Sequence, residues 1–262
     1  MKNTSIKLKK ILNDKLHGSS ELAAKLNDYL FSIRNNPAQI KTSITLAQKK
    51  LGHFEIINSY LKELDRILRE KNKTELINFL TNYSKKEDKK IESIFSKIYP
   101  VVKYIECVIT LSRSKTVIEV LKLWYKKNKK LKVVICESRP KYEGRLMALD
   151  LVKAGIKVEL ITDAMMGIHV PKIDAAVIGT DSVLKNGNVI NKVGSKALAL
   201  FCREYKKPFY VVTTRSKYSN KNIFISKKEN PKEVWDKHKN LKVSNIYFEE
   251  IEKKFITKIF TD

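Results

Sequence analysis

The sequence predicts an α/β protein: an N-terminal helical domain over residues 1–102 and a C-terminal parallel-sheet domain over residues 103–262. Two observations carry that expectation. Up to about residue 100 apolar side chains recur at helical spacing, and beyond it short apolar runs alternate with helix-like stretches. A third sets the scale, because 262 residues make one large or two modest domains when single cores stop growing near about 250 residues.

In the first half, Leu22, Leu26, Leu30 and Ile33 share one helix face, as do Ile57, Leu61, Leu64 and Leu68. Two further stripes follow, Leu76, Phe79, Leu80 and Tyr83, then Ile91, Ile94, Phe95 and Ile98. Asn35-Asn36-Pro37 separates the first helix from the next, since proline keeps the preceding residue extended. Pro100 is expected to close the last helix, and KKEDKK at 85–90 reads as a solvated helix face.

In the second half, residues 104–111, 132–136, 157–162, 173–179 and 209–214 read as strands, with helical segments between them. Such alternation indicates a parallel sheet with right-handed crossovers, and the apolar content of the strands suits burial on both faces. One hairpin interrupts the pattern at VLKNGNVI, where Asn186-Gly187 is expected to supply two positive-φ residues to a tight turn. The tail NIYFEEIEKKFITKIFTD fits either packing or dimerisation.

The formal net charge is +25, yet only eight of 53 basic residues are arginine and the lysines are spread along the chain. Direct nucleic-acid binding is therefore not expected as the main role, while acidic small ligands or an acidic protein partner fit. Cys107, Cys136 and Cys202 lie in apolar runs without CxxC spacing and read as buried hydrophobes. His17, His53, His169 and His238 form no ligand-spaced pair, so no metal is expected. No GxGxxG, Walker-type glycine loop or GxSxG elbow occurs, which disfavours a dinucleotide or ATP cofactor and a serine hydrolase. Without a membrane-length apolar run or a secretory leader, the expected location is the cytoplasm.

Parallel strands bring the loops at their carboxyl ends together. After the first strand come Ser112, Arg113, Ser114 and Lys115, where hydroxyls, a guanidinium and helix amides suit a phosphate; ordinary helix capping is the alternative. The second strand is followed by Glu137-Ser138-Arg139-Pro140, in which proline stiffens the exit, and then by Gly144, which permits close approach. Asp163 follows the third strand, where it and Glu137 suit the orientation of arginines. Thr180 and Asp181 follow the fourth, with Asn191 and Lys192 returning after the hairpin, and Thr214 and Arg215 follow the fifth. Asp181 suits a proton carrier, a binder of sugar hydroxyls, or the anchor of a backbone turn.

CESRPKYEGR, then IGTDSVLKNGNVINKVGSKALAL, then PFYVVTT, in this order, resemble one superfamily. It joins the alpha, beta and delta regulatory subunits of translation initiation factor 2B to the isomerases of methylthioribose 1-phosphate and ribose 1,5-bisphosphate. The resemblance implies a helical domain beside a Rossmann-like domain, a phosphorylated ligand in the cleft between them, and dimerisation through the C-terminal domain. It also implies that Asp181 falls on the isomerases' catalytic aspartate and that Ser112 occupies the place of their catalytic cysteine. Arg113, Ser114, Arg139, Asn191 and Lys192 become the expected ligand-binding residues. The chain departs from the isomerases in that serine, because a hydroxyl does not replace a thiolate near neutral pH. It departs again at IRNNPAQIKTSITLAQ, which lacks their phosphate-holding Arg-Gly-Ala, and the family's paired prolines near the end are missing. The expected function is a dimeric or larger regulatory-type subunit that binds translation initiation factor 2 and a sugar phosphate or nucleotide. The alternative is an aldose-ketose isomerase of the ribose 1,5-bisphosphate type.

Overall fold

The computed structural model describes residues 5–236 and 240–262, so the first four residues and His238 lie outside the described residues. The chain divides into two compact units, Met1–Lys90 and Ile91–Asp262. The division falls inside a helix, earlier than the 102/103 junction expected from periodicity. Its reason is visible in the packing: Ile91, Ile94, Ile98 and Val102 are buried in one cluster with Trp124 and Val108 of the α/β unit.

The helical unit holds α1 (Ile6–Leu12), α2 (Ser19–Ser32), α3 (Pro37–Leu51), α4 (Glu55–Arg69) and the first part of α5 (Lys73–Val102). Asn36 caps α3 by accepting from the Gln39 amide, with Pro37 in the first turn, where its missing N–H costs nothing. Leu22, Leu26, Leu30, Ile57, Leu61 and Leu64 are buried, as their spacing predicts. A polar link crosses this core. Asn27 accepts from the Tyr60 hydroxyl at 2.9 Å and donates to the Leu80 carbonyl at 3.0 Å, tying α2, α4 and α5.

Leu76–Tyr83 and Ile91–Ile98 are two stripes of the single 30-residue helix α5, joined by the largely exposed KKEDKK. Pro100 does not end it. The helix runs on to Val102, because proline near a helix C-terminus forfeits one backbone bond while buried Ile98 and Val102 hold the last turn.

The α/β unit continues with β1 (Cys107–Leu111), α6 (Lys115–Lys127), β2 (Lys132–Cys136), α7 (Glu143–Lys153), β3 (Lys157–Ile161), α8 (Met166–His169) and β4 (Ala175–Ile178). There follow β5 (Ser182–Val183), β6 (Val189–Lys192), α9 (Ser195–Glu204), β7 (Phe209–Val212), β8 (Phe248–Ile251) and β9 (Lys258–Phe260). The main sheet has six parallel strands in the order β3-β2-β1-β4-β7-β9. Its two faces bury separate clusters, one around Val108, Trp124 and Met147, the other around Ile109, Met166, Leu198 and Phe209.

The tail packs into this unit: β9 adds the sixth strand beside β7, and β8 pairs antiparallel with β6. Together β5, β6 and β8 form a small sheet. The hairpin between β5 and β6 differs from expectation. Gly187 alone takes positive φ, at 85°, and its amide bonds the Leu184 carbonyl at 2.9 Å while the Leu184 amide bonds Asn188. That is an ordinary turn closed by one left-handed glycine, so Asn186 has no left-handed conformation to supply.

Candidate functional site at the carboxyl edge of the sheet

From β1 the chain moves outward to β2 and β3, then returns to β4 on the other side of β1. The switch point therefore lies between the loops after β1 and β4, where open α/β sheets leave a crevice. These loops meet: a β-carbon built on Gly179 would lie 2.5 Å from Ser114 Oγ, so any larger residue there would have to displace the Ser114 side chain. Ser114 caps α6, its hydroxyl accepting from the Val117 amide at 3.4 Å. Asp181 follows Thr180, and its amide is bound to the Ile190 carbonyl of β6 at 2.9 Å.

Hydrogen bonds link neighbouring loops along the edge. Ser112 and Ser138, both with left-handed backbones, are joined by a 2.6 Å bond from the Ser112 amide to Ser138 Oγ. Asp163, after β3, accepts from the amides of Ser138 at 2.8 Å and Arg139 at 2.7 Å. It thus holds the β2 loop by its backbone. Glu137 orients Arg145, with bonds of 2.6 and 3.2 Å. Arg215 reaches Asp262 beyond β9, its amide at 2.7 Å from Oδ1 and its Nε at 2.8 Å from the carbonyl.

The expected ligand residues all lie at this edge, and several have partners within the chain. Arg113 donates to Asp150 of α7 at 2.9 Å. Arg139 stacks on Tyr142, bonds its hydroxyl, and donates to the Val234 carbonyl at 3.0 Å. Asn191 donates to Ser195 Oγ at 2.9 Å, which steadies the start of α9. Lys192 is 4% exposed; its ammonium bonds Glu143 and lies 4.6 Å above the Tyr247 ring. The second oxygen of buried Glu143, Oε2, has no hydrogen-bond partner among the described residues.

The chain matches the Initiation factor 2 subunit family over residues 6–262. It belongs to that family. A translation initiation factor eIF-2B subunit 2-like protein of Pyrococcus furiosus is 29% identical over 258 residues, which is 97% of this chain and 93% of the relative. Ribose 1,5-bisphosphate isomerase of Methanocaldococcus jannaschii is 32% identical over 164 residues, 60% of this chain and 53% of the isomerase. Among solved structures, translation initiation factor eIF-2B of Pyrococcus horikoshii superposes with a TM-score of 0.82 at 23% identity, covering 97% of this chain and 93% of its own. The 5-methylthioribose 1-phosphate isomerase of the same organism also reaches 0.82, at 18% identity, covering 97% and 81%. Both structural likenesses speak to the fold, an N-terminal helical part followed by a Rossmann-like sheet.

Position 112 is a serine, and the three cysteines lie elsewhere in the α/β unit. Cys107 begins β1, opposite Lys132 at the start of β2, and so lies at the other edge of the sheet, with burial raising its pKa. Cys136 ends β2 but is buried against the face that holds Met166, and burial pushes its thiol up to about 12. Cys202 lies in α9 and is likewise pushed up by burial to about 12. Thiolates are nucleophiles and thiols are weak ones, so burial leaves these three poor nucleophiles near neutral pH.

Sequence reasoning missed Lys217. Its side chain is buried, and Nζ donates to the Thr180 carbonyl at 2.6 Å, next to Asp181. Nothing in RSKYSNK distinguishes this lysine from its surface neighbours; the topology of the β7 exit buries it. Glu143 stands inside a quoted motif, yet its pairing with Lys192 across 49 positions has no local signal. The helical unit also carries a basic-rimmed hollow, floored by Ile67, Leu68 and Leu76 and edged by Arg34, Lys71 and Lys73.

Proposed function

We propose that this chain is an oligomeric regulatory-type member of its family, which binds translation initiation factor 2 in the cytoplasm and holds a sugar phosphate or nucleotide without converting it. The single observation that carries this reading is the chemistry at the β1 exit. Position 112 is a serine whose amide is bound to Ser138, and the nearest alternative thiols are protonated or at the far edge of the sheet. Full-length similarity to an eIF-2B subunit 2-like protein supports it. In this reading Ser114, Arg113, Arg139, Asn191 and Lys192 hold the ligand, and Asp181 binds hydroxyls in place of moving a proton. Homodimerisation through the α/β unit goes with it.

The similarity to ribose 1,5-bisphosphate isomerases favours a second reading, in which Asp181 transfers a proton between adjacent carbons of the open-chain sugar. One pair of measurements separates them. Purified protein is incubated with ribose 1,5-bisphosphate and assayed for ketose, and is run on gel filtration with initiation factor 2 at micromolar concentration. Co-elution without ketose is the expected result. Ketose formation that Asp181→Asn abolishes would establish the isomerase instead, and failure to co-elute would remove the translational role.

A further inference from the structure

The cations at the β2 end of the site, Arg139 and Lys141, are held by a segment between β7 and β8. Residues 228–236 form an irregular strap, pinned to the approach to β8 by the Lys228–Ile246 bridge and by a 2.9 Å bond from the Glu229 amide to the Asn245 carbonyl. From it, Glu233 points inward and is largely buried. One carboxylate oxygen accepts from Lys141 at 2.9 Å; the other accepts from the Tyr247 hydroxyl and from Asn245 Nδ2 at 3.1 Å. The next residue offers its carbonyl to Arg139 at 3.0 Å. Behind Tyr247 lies Lys192, under the ring and paired with Glu143.

Apolar burial does little to fix the strap, because Val234 and Trp235 are 37% and 48% exposed. What holds Glu233 is a set of donors directed at its carboxylate, an ammonium, a phenol and an amide, while the Arg139 guanidinium adds a bond to the neighbouring Val234 carbonyl. These are the donor types that hold a phosphoryl group. Burial, together with the neighbouring carboxylate, holds the Tyr247 phenol well above its ordinary range, so it keeps its proton and donates.

We propose that Glu233 is a resident anion, occupying donors that a phosphoryl group of the ligand takes over when it binds. Ligand entry then exchanges one anion for another at Lys141 and Tyr247, and the strap loses the anchors that Glu233 supplies while the backbone pins at 228 and 229 remain. The site is self-inhibited, and its affinity is set by the competition between the Glu233 carboxylate and the incoming phosphate. This rests on the phospholigand reading above and adds to it how that site is regulated.

The test compares the full chain with Glu233→Gln, which keeps the shape and removes the charge. Ribose 1,5-bisphosphate, AMP and inorganic phosphate are titrated calorimetrically into each, and hydrogen exchange of residues 228–236 is followed with and without ribose 1,5-bisphosphate. Glu233→Gln is expected to tighten phosphoryl binding about tenfold, a change of about 1.4 kcal/mol. In the parent protein the bisphosphate is expected to speed exchange in the strap. Equal or weaker binding by Glu233→Gln, or a strap whose exchange does not respond to bound ligand, overturns the competition while leaving the phospholigand site standing. If no phosphorylated probe binds either protein, both the site and its regulation fall. Preference for the bisphosphate over AMP identifies a sugar phosphate as the displacing anion, and the reverse identifies a nucleotide. Should the variant fold poorly, Tyr247→Phe removes one donor to Glu233 and is expected to raise strap exchange without ligand; unchanged exchange counts against the latch.

Discussion

At the level of single residues, Lys217 and Gly144 carry constraints that their neighbours do not. The Lys217 ammonium is taken out of water to donate to Thr180, while the Thr180 hydroxyl reaches the carbonyls of Ser182 and Ile190, both at 2.7 Å. The loop bearing Asp181 is thereby held from β7 on one side and from β6 on the other. Lys217→Met keeps the bulk but strips a buried carbonyl of its donor, an omission worth about 1–3 kcal/mol. Urea unfolding should show that loss, and phospholigand affinity should fall with it. A variant as stable as the parent would mean that the ammonium does not hold the loop. Gly144 is constrained by space: a β-carbon there would stand 1.9 Å from the Cys136 carbonyl oxygen. Gly144→Ala must push the first turn of α7 off β2 and so displace Glu143 from Lys192. The expected cost is about 3 kcal/mol or more, read as a lowered thermal midpoint.

Among the elements, α9 shows how a helix can borrow its cap. Its first turn follows Gly194 at φ 101°, with no side-chain cap from its own sequence. Instead Glu249 of β8 lays one carboxylate oxygen 2.7 Å from the Gly194 amide and 2.9 Å from the Lys196 amide. A carboxylate on free amides at the positive end of a helix is the usual stabilising arrangement. Glu249→Ala should therefore cost about 1–2 kcal/mol, and Glu249→Gln less, because the amide oxygen still accepts; no change in the urea midpoint for the alanine variant would refute the cap. This start of α9 was hidden in the sequence, since its capping group arrives from 55 positions away. By contrast α6 starts at Ser114 and α3 at Asn36-Pro37, where the signal is local. The interior strands were legible because burial on both faces makes them nearly all apolar, as in VVIC and FYVV. FEEI and KIF pair at sheet margins, where charge is tolerated, and so blended into the tail. The candidate site divides the same way: Ser112, Ser114, Arg139 and Asp181 follow from strand ends, whereas Lys217 and Glu233 owe their positions to tertiary packing.

For the molecule as a whole, the buried acids make a prediction about alkaline pH. Burial pushes Cys136 and Cys202 up to about 12 in the folded protein, whereas a thiol in an unfolded chain titrates near about 8.5. Below that value both states keep the proton and the thiols do not affect the balance. Above it the unfolded chain releases protons that the folded chain retains, so stability falls as pH rises toward 12. Tyr60, Tyr83 and Tyr247 are raised chiefly by burial and add a decline in the same direction from about pH 10. An opposing effect comes from the +25 net charge, because lysines losing protons near about pH 10.4 relieve self-repulsion and favour the compact state. The interval from pH 8 to 9.5 isolates the thiols, since tyrosines and lysines there are still largely protonated. Over that step each buried thiol removes up to about 1.4 kcal/mol, lowering the urea midpoint. A Cys136→Ala, Cys202→Ala double variant starts less stable, because two buried side chains are truncated, but its midpoint should decline less between the two pH values. If parent and variant lose stability in parallel, the thiols are not the cause, and charge redistribution across the lysine-rich surface becomes the explanation to pursue.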